Sequence, residues 1–522
     1  MEKEFNLLFE PWILARDKNG IICKLSILEA FRRADQLKGL AGETGSQDIA
    51  ILRLLLAIMH GSLASGIESA DEARDFWKEL WDNKAFATEA YNKIETYLSV
   101  YEERFYLFHP ETPFYQVSSL LEDMASFKAA RGKKVTGKEN EKSIARLIGE
   151  IFQSDNRQRL FAGRTGSAQK ALEYDEAARW LIHLNAFDDD SAKNPTPKGV
   201  GYLGKLGLVY IIGNNLFETL LLNFVLADER KEVFDNNSGD AYWEKPVCRI
   251  IENLIVQPRS QKDLLTMQSR RILLKREGDK VIGYWLTMGD YFDEDKGLTN
   301  EQMTLWKIEK NVIKPKQHKI NRQIWRDFSS LICEGNSERV SGVIAWMKSL
   351  QCLKGNRYAI CIIGVFYEWN NGWQVVDFIE DSLRLNASII QEVDNEWYYQ
   401  IREILDNTDQ AISYLGWFSK EVLLASGGTN EKIADEYYQE KAYSRLDKAF
   451  REWLIKLNPE EDDFEEKTSE WYSIVKAALI ALQKEILNNC SDKALVGKNV
   501  ESTHNVFKAS LFFGAKLKKI LG

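Results

Sequence analysis

The C-terminal part of the chain constrains the fold more than any other stretch. From about residue 379 onward, apolar residues recur at spacings of three and four, which is the period of an amphipathic α-helix. Four such segments follow one another, at 380–426, 430–457, 467–490 and 500–521. Because consecutive helices with short connections pack as antiparallel neighbours, these segments predict a four-helix bundle.

The preceding residues show a different pattern, in which strand and helix signals alternate. Asp17-Lys-Asn-Gly20 separates two strand-like segments, and Asn370-Asn-Gly372 separates two longer apolar runs. Asn-Gly between apolar runs is the strongest short signal for a β-hairpin. The second hairpin is therefore predicted to return at Trp373.

Three helix starts carry capping residues. Ser26 is followed three residues later by Glu29, which is the pattern of a capping box. Ser46 precedes a run that is apolar on nearly every face, so we expect it to cap a buried helix. Asn215 is predicted to cap a further helix, with Glu218 in its first turn.

These patterns predict the fold class α+β. A large mixed N-terminal globular domain, residues 1–378, is followed by a C-terminal four-helix bundle, residues 379–522. A length of 522 residues is ample for two domains.

Composition excludes several classes of protein. The six cysteines are scattered and form no CxxC pair, which argues against a zinc cage or a disulfide framework and suits a reducing compartment. No signal peptide is visible, and the most apolar helical run, 49–59, is too short to span a bilayer. We therefore expect a cytoplasmic protein that makes no membrane contact.

One stretch, residues 128–170, is strongly basic. It carries eleven Lys and Arg against four acids, a net charge of +7 in a chain whose total is −9. Its second half includes Arg157, Arg159 and Arg164 around an apolar tip. A polyanion contact explains this charge separation, although a solvated surface loop explains it as well. A second basic segment, 306–326, holds seven Lys and Arg, one Glu, and a tryptophan at or near each end.

The loop Lys198-Gly-Val-Gly-Tyr-Leu-Gly204 contains a literal G-x-G-x-x-G. A dinucleotide site needs a strand before this motif and a helix opening on it, whereas here a Pro- and Asn-containing loop precedes it and a strand-like segment follows. The glycines instead permit close backbone approach, either to a phosphate or to the rest of the protein. Upstream, Asp188-Asp-Asp190 is predicted to be a solvated turn at a helix end rather than a metal site with His183.

The order of these features resembles one family, the large subunits, CasA, of the type I-E CRISPR surveillance complex Cascade. The resemblance is carried by Phe5-Asn-Leu-Leu-Phe-Glu-Pro-Trp-Ile13, by the run 48–58, by the aromatic loop 105–116, by the glycine loop 199–207 and by the terminal bundle. It spans essentially the whole chain.

The resemblance implies a role without catalysis, metal or cofactor. In this family the guide RNA reads the target by base pairing, and the large subunit reads a short duplex motif beside the target, the PAM. The subunit also helps to begin strand separation and to recruit a helicase–nuclease in antiviral defence. The implied partners are the other Cascade subunits, the CRISPR guide RNA, target double-stranded DNA and the helicase–nuclease effector.

Three elements of the family can be placed by the resemblance. The loop 160–164 resembles one that contacts PAM-side DNA and guide RNA, the glycine loop resembles one that lies in the PAM minor groove, and 370–374 resembles a hairpin wedge. Lys296 is a candidate for a minor-groove lysine. The residues expected to contact nucleic acid are Arg157, Arg159, Phe161, Ala162, Gly163, Arg164, Lys198, Gly199, Gly201, Gly204, Asn370, Asn371 and Gln374.

Two functions of other classes are compatible with parts of the sequence. The terminal bundle suits a helical protein–protein adaptor that does not read DNA, and the G-x-G-x-x-G loop alone would suit a nucleotide-binding enzyme. No Ser/His/Asp or Cys/His constellation indicates hydrolysis.

Overall fold

The computed structural model describes residues 2–129, 141–149, 164–189, 199–228, 230, 232–235, 237–247, 255–292, 300–310, 312–332, 338–369, 373–391, 396–496 and 505–522. The chain forms two compact units. The first comprises 1–320, 333–349 and 360–381, and the second comprises 321–332, 350–359 and 382–522.

Helices and strands are mixed through the first unit, and long helices dominate the second. The α-helices, in chain order, are α1 Ile27–Arg32, α2 Gly45–Leu63, α3 Ala70–Asp82, α4 Thr88–Val100, α5 Leu120–Ala129, α6 Ile144–Leu147, α7 Tyr174–Phe187, α8 Leu216–Leu222, α9 Gln261–Leu265, α10 Phe328–Ile332, α11 Gly342–Ser349, α12 Ser388–Gln391, α13 Glu396–Ala425, α14 Glu431–Lys456, α15 Phe464–Asn488, α16 Asp492–Val496 and α17 Val506–Leu521. The strands are β1 Glu4–Asn6, β2 Ile13–Asp17, β3 Ile22–Leu25, β4 Leu37–Leu40, β5 Tyr106–Phe108, β6 Glu141–Ser143, β7 Leu208–Ile212, β8 Ile255–Val256, β9 Arg270–Glu277, β10 Lys280–Met288, β11 Tyr291–Phe292, β12 Trp306–Glu309, β13 Val312–Pro315, β14 Glu338–Arg339, β15 Arg357–Trp369 and β16 Trp373–Asn386. The predicted α+β class is confirmed.

The described strands form several small sheets rather than one large one. Three-stranded sheets have the orders β3-β2-β4, β6-β10-β9, β13-β12-β14 and β16-β15-β7, and the pairs β1-β5 and β11-β8 complete the set. Both predicted hairpins are confirmed as neighbouring strands, β2 with β3 and β15 with β16. Because β7 joins the second hairpin, the glycine loop that precedes β7 lies near that hairpin.

Helix α2 is the buried centre of the first unit. Its residues Ile49–Met59 are all buried, as expected for a helix that is apolar on nearly every face. The cap predicted at Ser46 is wrong, because Thr44 has the extended backbone and its side chain accepts from the Gln47 amide. The capping box of Ser26 with Glu29 and the cap at Asn215 are confirmed.

The second unit contains the predicted bundle. Its long helices are α13, α14, α15 and α17, with α13 packed against each of the other three. A buried aromatic cluster of Trp471, Trp453 and Phe450 lies in its core, where ring centroids are 5.4 to 5.8 Å apart. The helix predicted over 380–426 is wrong at its start, because β16 continues to Asn386 and α13 begins at Glu396.

Candidate nucleic-acid interface

A groove of about 1190 Å³ opens on the first unit where three segments singled out by the sequence meet. The glycine loop contributes Gly199 and Lys205, and the second basic segment contributes 315–320. The paired strands β15 and β16 contribute Trp369 and Trp373 at the ends nearest the predicted turn. We call this feature the basic groove.

The described lining of the basic groove is cationic. Lys205, Lys307, Lys316 and Lys319 line it together with His318, and no Asp or Glu is among the described lining residues. Lys307 forms an ion pair of 2.8 Å with Glu309, and the two side chains are 41 % and 55 % exposed. An exposed pair of this kind contributes little stability, so an incoming phosphate can compete for Lys307.

Hydrogen bonds hold the basic segment against the glycine loop, the first residue of β7 and Leu305. Gln317 Nε2 donates to the Gly204 carbonyl at 3.2 Å, and His318 Nε2 donates to the Leu208 carbonyl at 2.9 Å. The Lys316 amide donates to the Leu305 carbonyl at 2.8 Å. These bonds fix the backbone from which the groove lysines extend.

The glycine loop packs closely on the protein itself. A side chain at Gly201 would overlap the Ala186 carbonyl, and one at Gly204 would overlap the Tyr367 hydroxyl. Tyr367 lies on β15 and donates to the Phe187 carbonyl at 3.2 Å. Of the two explanations for these glycines, close approach to the rest of the protein therefore applies to Gly201 and Gly204.

Gly199 differs from the other two glycines. Among the residues that the structure describes, the nearest atom to an added Cβ is Lys205 Nζ at 3.5 Å, so none of them crowds this position. Its carbonyl accepts a hydrogen bond of 2.8 Å from Arg270 Nη2. Gly199 thus lines the basic groove while Arg270 holds its carbonyl oxygen.

Arg270 holds two described residues, Asp189 and Gly199, that are ten positions apart in the chain. Its Nε donates to Asp188 Oδ2 at 2.5 Å, and its Nη2 donates to the Asp189 carbonyl at 3.1 Å as well as to Gly199. Its side chain is only 1 % exposed. Because a guanidinium offers several donors in a rigid fork, one residue can hold three acceptors at once.

The solvated turn predicted at Asp188-Asp-Asp190 is wrong. Asp188 is buried with Arg270, and Asp189 forms an ion pair of 2.6 Å with Arg146. Arg270 and Arg146 thus supply the charge and hydrogen bonds that these two carboxylates would otherwise obtain from solvent. Asp190 lies outside the described residues.

A second buried network positions the next turn of the glycine loop. Arg53 on α2 donates to both carboxylate oxygens of Glu301 at 2.9 Å and also bonds the Tyr202 hydroxyl. Burial lowers the pKa of Arg53, but the charge and hydrogen bonds of Glu301 outweigh it and the net pKa is raised. One signal of this network is visible in the sequence, namely a lone Arg within an apolar helical run.

The structure describes only some of the residues predicted to contact nucleic acid. Arg164 forms an ion pair with Glu176, lies 4.0 Å from Glu43, and is 16 % exposed. Gln374 is half-buried on β16. The other predicted contacts, apart from the three glycines already described, lie outside the described residues. They are Arg157, Arg159, Phe161, Ala162, Gly163, Lys198, Asn370 and Asn371, and Lys296 also lies outside the described residues.

The described residues offer little for metal or nucleophilic chemistry. No group of three or more His, Cys, Asp or Glu residues among them could hold a metal ion. Ser46 Oγ lies 3.0 Å from His183 Nε2, but both residues are wholly buried, so no substrate reaches them. Burial also lowers the pKa of His183 to about 3.

Comparison with known proteins identifies the family. A model described as CRISPR-associated protein Cse1 matches residues 6–482. The chain belongs to the Cse1 family. The resemblance to CasA that the sequence motifs carry is thereby confirmed, since a CasA/Cse1 protein is among its relatives.

Three relatives of this Cse1-family chain illustrate the similarity. It is 28% identical over 342 residues to the CRISPR-associated protein CasA/Cse1 of Thermus thermophilus, a match that covers 63% of this chain and only 60% of that protein. It is similar to the crystal structure of Thermobifida fusca Cse1, with 27% identity, a TM-score of 0.82, and coverage of 99% of this chain and 98% of that one. It shares its fold with a chain of a CRISPR RNA-guided surveillance complex, at 17% identity, a TM-score of 0.70, and coverage of 98% and 99%.

No helix in the described part of this Cse1-family chain is long and apolar enough to cross a lipid bilayer.

Proposed function

We propose that this chain is the large, non-catalytic subunit of a type I-E Cascade, and that its basic groove contacts double-stranded DNA at the PAM. Membership in the Cse1 family and the shared fold with a chain of an RNA-guided surveillance complex support the assignment to such a complex. The placement of DNA depends on the geometry of the groove. Its other partners would be the remaining Cascade subunits and the guide RNA.

The observation that carries the proposal is the meeting of three distant segments at one groove. The backbone at Gly199, the lysines of 307–319 and the ends of β15 and β16 line the same cavity. Lysines neutralise phosphates without regard to sequence, whereas backbone groups close to base edges can read them. A fixed glycine backbone beside lysines therefore suits a duplex.

The division of labour has a physical reason. Base pairing with the guide RNA reads a long sequence, so the protein needs to read only a short duplex beside it. The minor groove presents a degenerate pattern of acceptors and donors, so contacts there give permissive reading. Inserting a hairpin between base pairs costs about a few kcal/mol per step, which new contacts offset.

The groove lysines provide the first test. In the assembled complex, the pair Lys307→Gln and Lys319→Gln should weaken binding to a PAM-bearing duplex and reduce the salt slope by about 0.9 for each phosphate that is no longer neutralised. Lys432→Gln and Lys448→Gln on α14 are matched controls, since both lysines are exposed and paired with a Glu four residues on. Equal affinities and equal salt slopes for the groove variant and the control variant would show that the groove lysines do not bind DNA.

The loop and the hairpin form separate parts of the proposal. Charge reversal at Arg157 and Arg159 should weaken duplex binding if the 157–164 loop contacts DNA.

Replacement of 370–374 by a short Gly/Ser turn should preserve first contact with the duplex but slow strand opening, measured with a base analogue next to the PAM. An unchanged opening rate would discard the wedge.

A protein–protein adaptor is the second candidate, and one feature favours it. Helix α17 exposes Phe507, Leu511 and Phe512, with Leu511 75 % exposed. Clustered exposed apolar side chains often mark protein contacts. Docking of other subunits, or of a helicase–nuclease effector, would use such a surface. An adaptor that does not read DNA would join the complex normally yet leave its choice of duplex unchanged.

A further inference from the structure

Two tryptophans at the end of the β15–β16 pair are unusually exposed. Trp369 is 62 % exposed and Trp373 is 44 % exposed, while Trp12, Trp77, Trp180, Trp243, Trp325 and Trp471 are fully buried. The two exposed indoles contact each other edge to face, with centroids 5.5 Å apart and planes inclined by 75°. They form the aromatic end of the basic groove.

The edge-to-face contact of the two indoles covers only part of their ring faces. In such a pair the edge of one ring meets a face of the other, so each ring retains at least one face that its partner does not cover. Trp offers the largest π-surface of any side chain. A flat partner can therefore stack on this pair without a rearrangement of the strands.

The neighbouring charges indicate which flat partner fits. Lys316 and Lys319 line the same groove, and the described lining contains no carboxylate. A nucleic-acid strand combines phosphates with planar bases, and proteins that bind single strands pair a cationic groove with stacking aromatics for this reason. An acidic peptide would satisfy the lysines but would leave the indole faces uncovered.

We propose that Trp369 and Trp373 form a stacking platform for an unpaired base of a DNA strand whose phosphates lie against the groove lysines. This inference deepens the proposed function and rests on it for the presence of DNA in the groove. A fully paired duplex keeps its bases stacked on one another. The platform therefore acts on bases released when the duplex opens.

The test distinguishes aromatic stacking on a base from a purely apolar contact. The assembled complex is prepared with Trp369→Leu and Trp373→Leu together, and separately with Phe at both positions. The probes are a fully paired PAM duplex and the same duplex with a short unpaired fork that carries 2-aminopurine. We expect the Leu pair to weaken binding of the fork by about 10-fold, to change binding of the paired duplex little, and to relieve quenching of 2-aminopurine. The variant with Phe at both positions should recover most of the affinity for the fork and most of the quenching of 2-aminopurine.

Matched controls separate the platform from general surface effects. Tyr399→Leu alters another aromatic residue, 60 % exposed, in the second unit, and should leave fork binding unchanged. Fork binding unaffected by the Leu pair would overturn the inference, as would weaker assembly with the other subunits in place of weaker fork binding.

The proposed function fails in a different way. It would be contradicted if the wild-type complex did not distinguish duplexes that differ only beside the target. A difference between the Leu and Phe pairs on the fork would still be measurable in that case, so the two failures can be told apart.

Discussion

Arg270 Nη2 donates a hydrogen bond of 2.8 Å to the carbonyl oxygen of Gly199. The two residues are separated by 71 positions in sequence and belong to a strand and to the glycine loop. Since Gly199 lines the basic groove, this bond connects a buried cation directly to the surface proposed to meet DNA. Arg270 is therefore a positioning residue for the loop.

Changes at Arg270 should separate loop geometry from stability. Arg270→Met removes the guanidinium that pairs with the buried Asp188 carboxylate, which costs about 3–5 kcal/mol. Arg270→Lys keeps a charge but cannot span Asp188, Asp189 and Gly199 together. We expect Arg270→Lys to lower the free energy of binding to the PAM duplex by more than it lowers the free energy of unfolding. Duplex titration measures the first quantity and urea unfolding the second. The double change Arg270→Met with Asp188→Asn should recover part of the lost stability, and no recovery would argue against a buried pair.

The contact between Gly204 and Tyr367 can be tested by rescue. Gly204→Ala places a methyl group on the Tyr367 hydroxyl, and overpacking of this kind costs about 1–3 kcal/mol. Tyr367→Phe removes that oxygen, so the double variant should be more stable than Gly204→Ala alone in urea unfolding. Gly201→Ala meets the backbone carbonyl of Ala186, and Tyr367→Phe should not rescue it. Gly39→Ala is a neutral control, because no atom of the described residues lies within 4 Å of the added Cβ.

Stability should depend on the protonation of Asp48. Burial raises the pKa of this carboxyl from 3.8 to about 7, with smaller contributions from Glu380 and Glu43, while the Gly42 amide opposes the shift. A carboxyl whose folded pKa is raised favours the protonated folded state. This carboxyl's contribution to the free energy of unfolding is therefore fully present below about pH 4. It is lost as the pH rises through about 7.

Asp48→Asn removes this titration while retaining an oxygen that can accept from Gly42. The variant should gain on the order of 4 kcal/mol at pH 8 relative to the wild type, and little near pH 4. Thermal unfolding measured across this range provides the comparison. An equal difference between the two proteins at both pH values would contradict the assignment.

The bundle core should depend on Trp471. Its indole Nε1 donates to Thr408 Oγ1 at 3.0 Å, and the side chain is wholly buried. Trp471→Ala should cost about 3–5 kcal/mol, and Trp471→Phe should cost less because most of the volume remains. Urea unfolding followed by far-UV circular dichroism measures both. Tyr437→Ala, at an exposed position on the same bundle, should change stability by no more than about 0.5 kcal/mol.

Local chemistry explains what could be predicted of the fold. The capping box at Ser26 and the cap at Asn215 depend on residues within one turn, so the sequence alone identifies them. The error at 380–426 also has a local cause. Leu383 and Leu385 are buried while Ser382 and Arg384 are more exposed, which is the two-residue alternation of a strand rather than a helical period. The division of the chain at residue 378 stays a prediction.

The candidate site was predictable only in parts. Its glycine loop, basic segment and hairpin each have a sequence signature, but nothing in the sequence brings them to one groove. Arg270 and Asp188 lie 82 residues apart, and a pairing over that distance is set by packing of β9 against α7 rather than by local pattern. The one available signal was two successive arginines, Arg270 and Arg271, directly before the apolar residues Ile272, Leu273 and Leu274 of β9.

The most direct test of the central claim measures what this chain adds to the complex. A guide-RNA complex is assembled with and without it, and each is titrated with two duplexes that share one target and differ only in the base pairs beside it. With the chain present, the complex should bind one duplex much more tightly than the other, and without it the preference should vanish. The same preference in its absence would contradict the account.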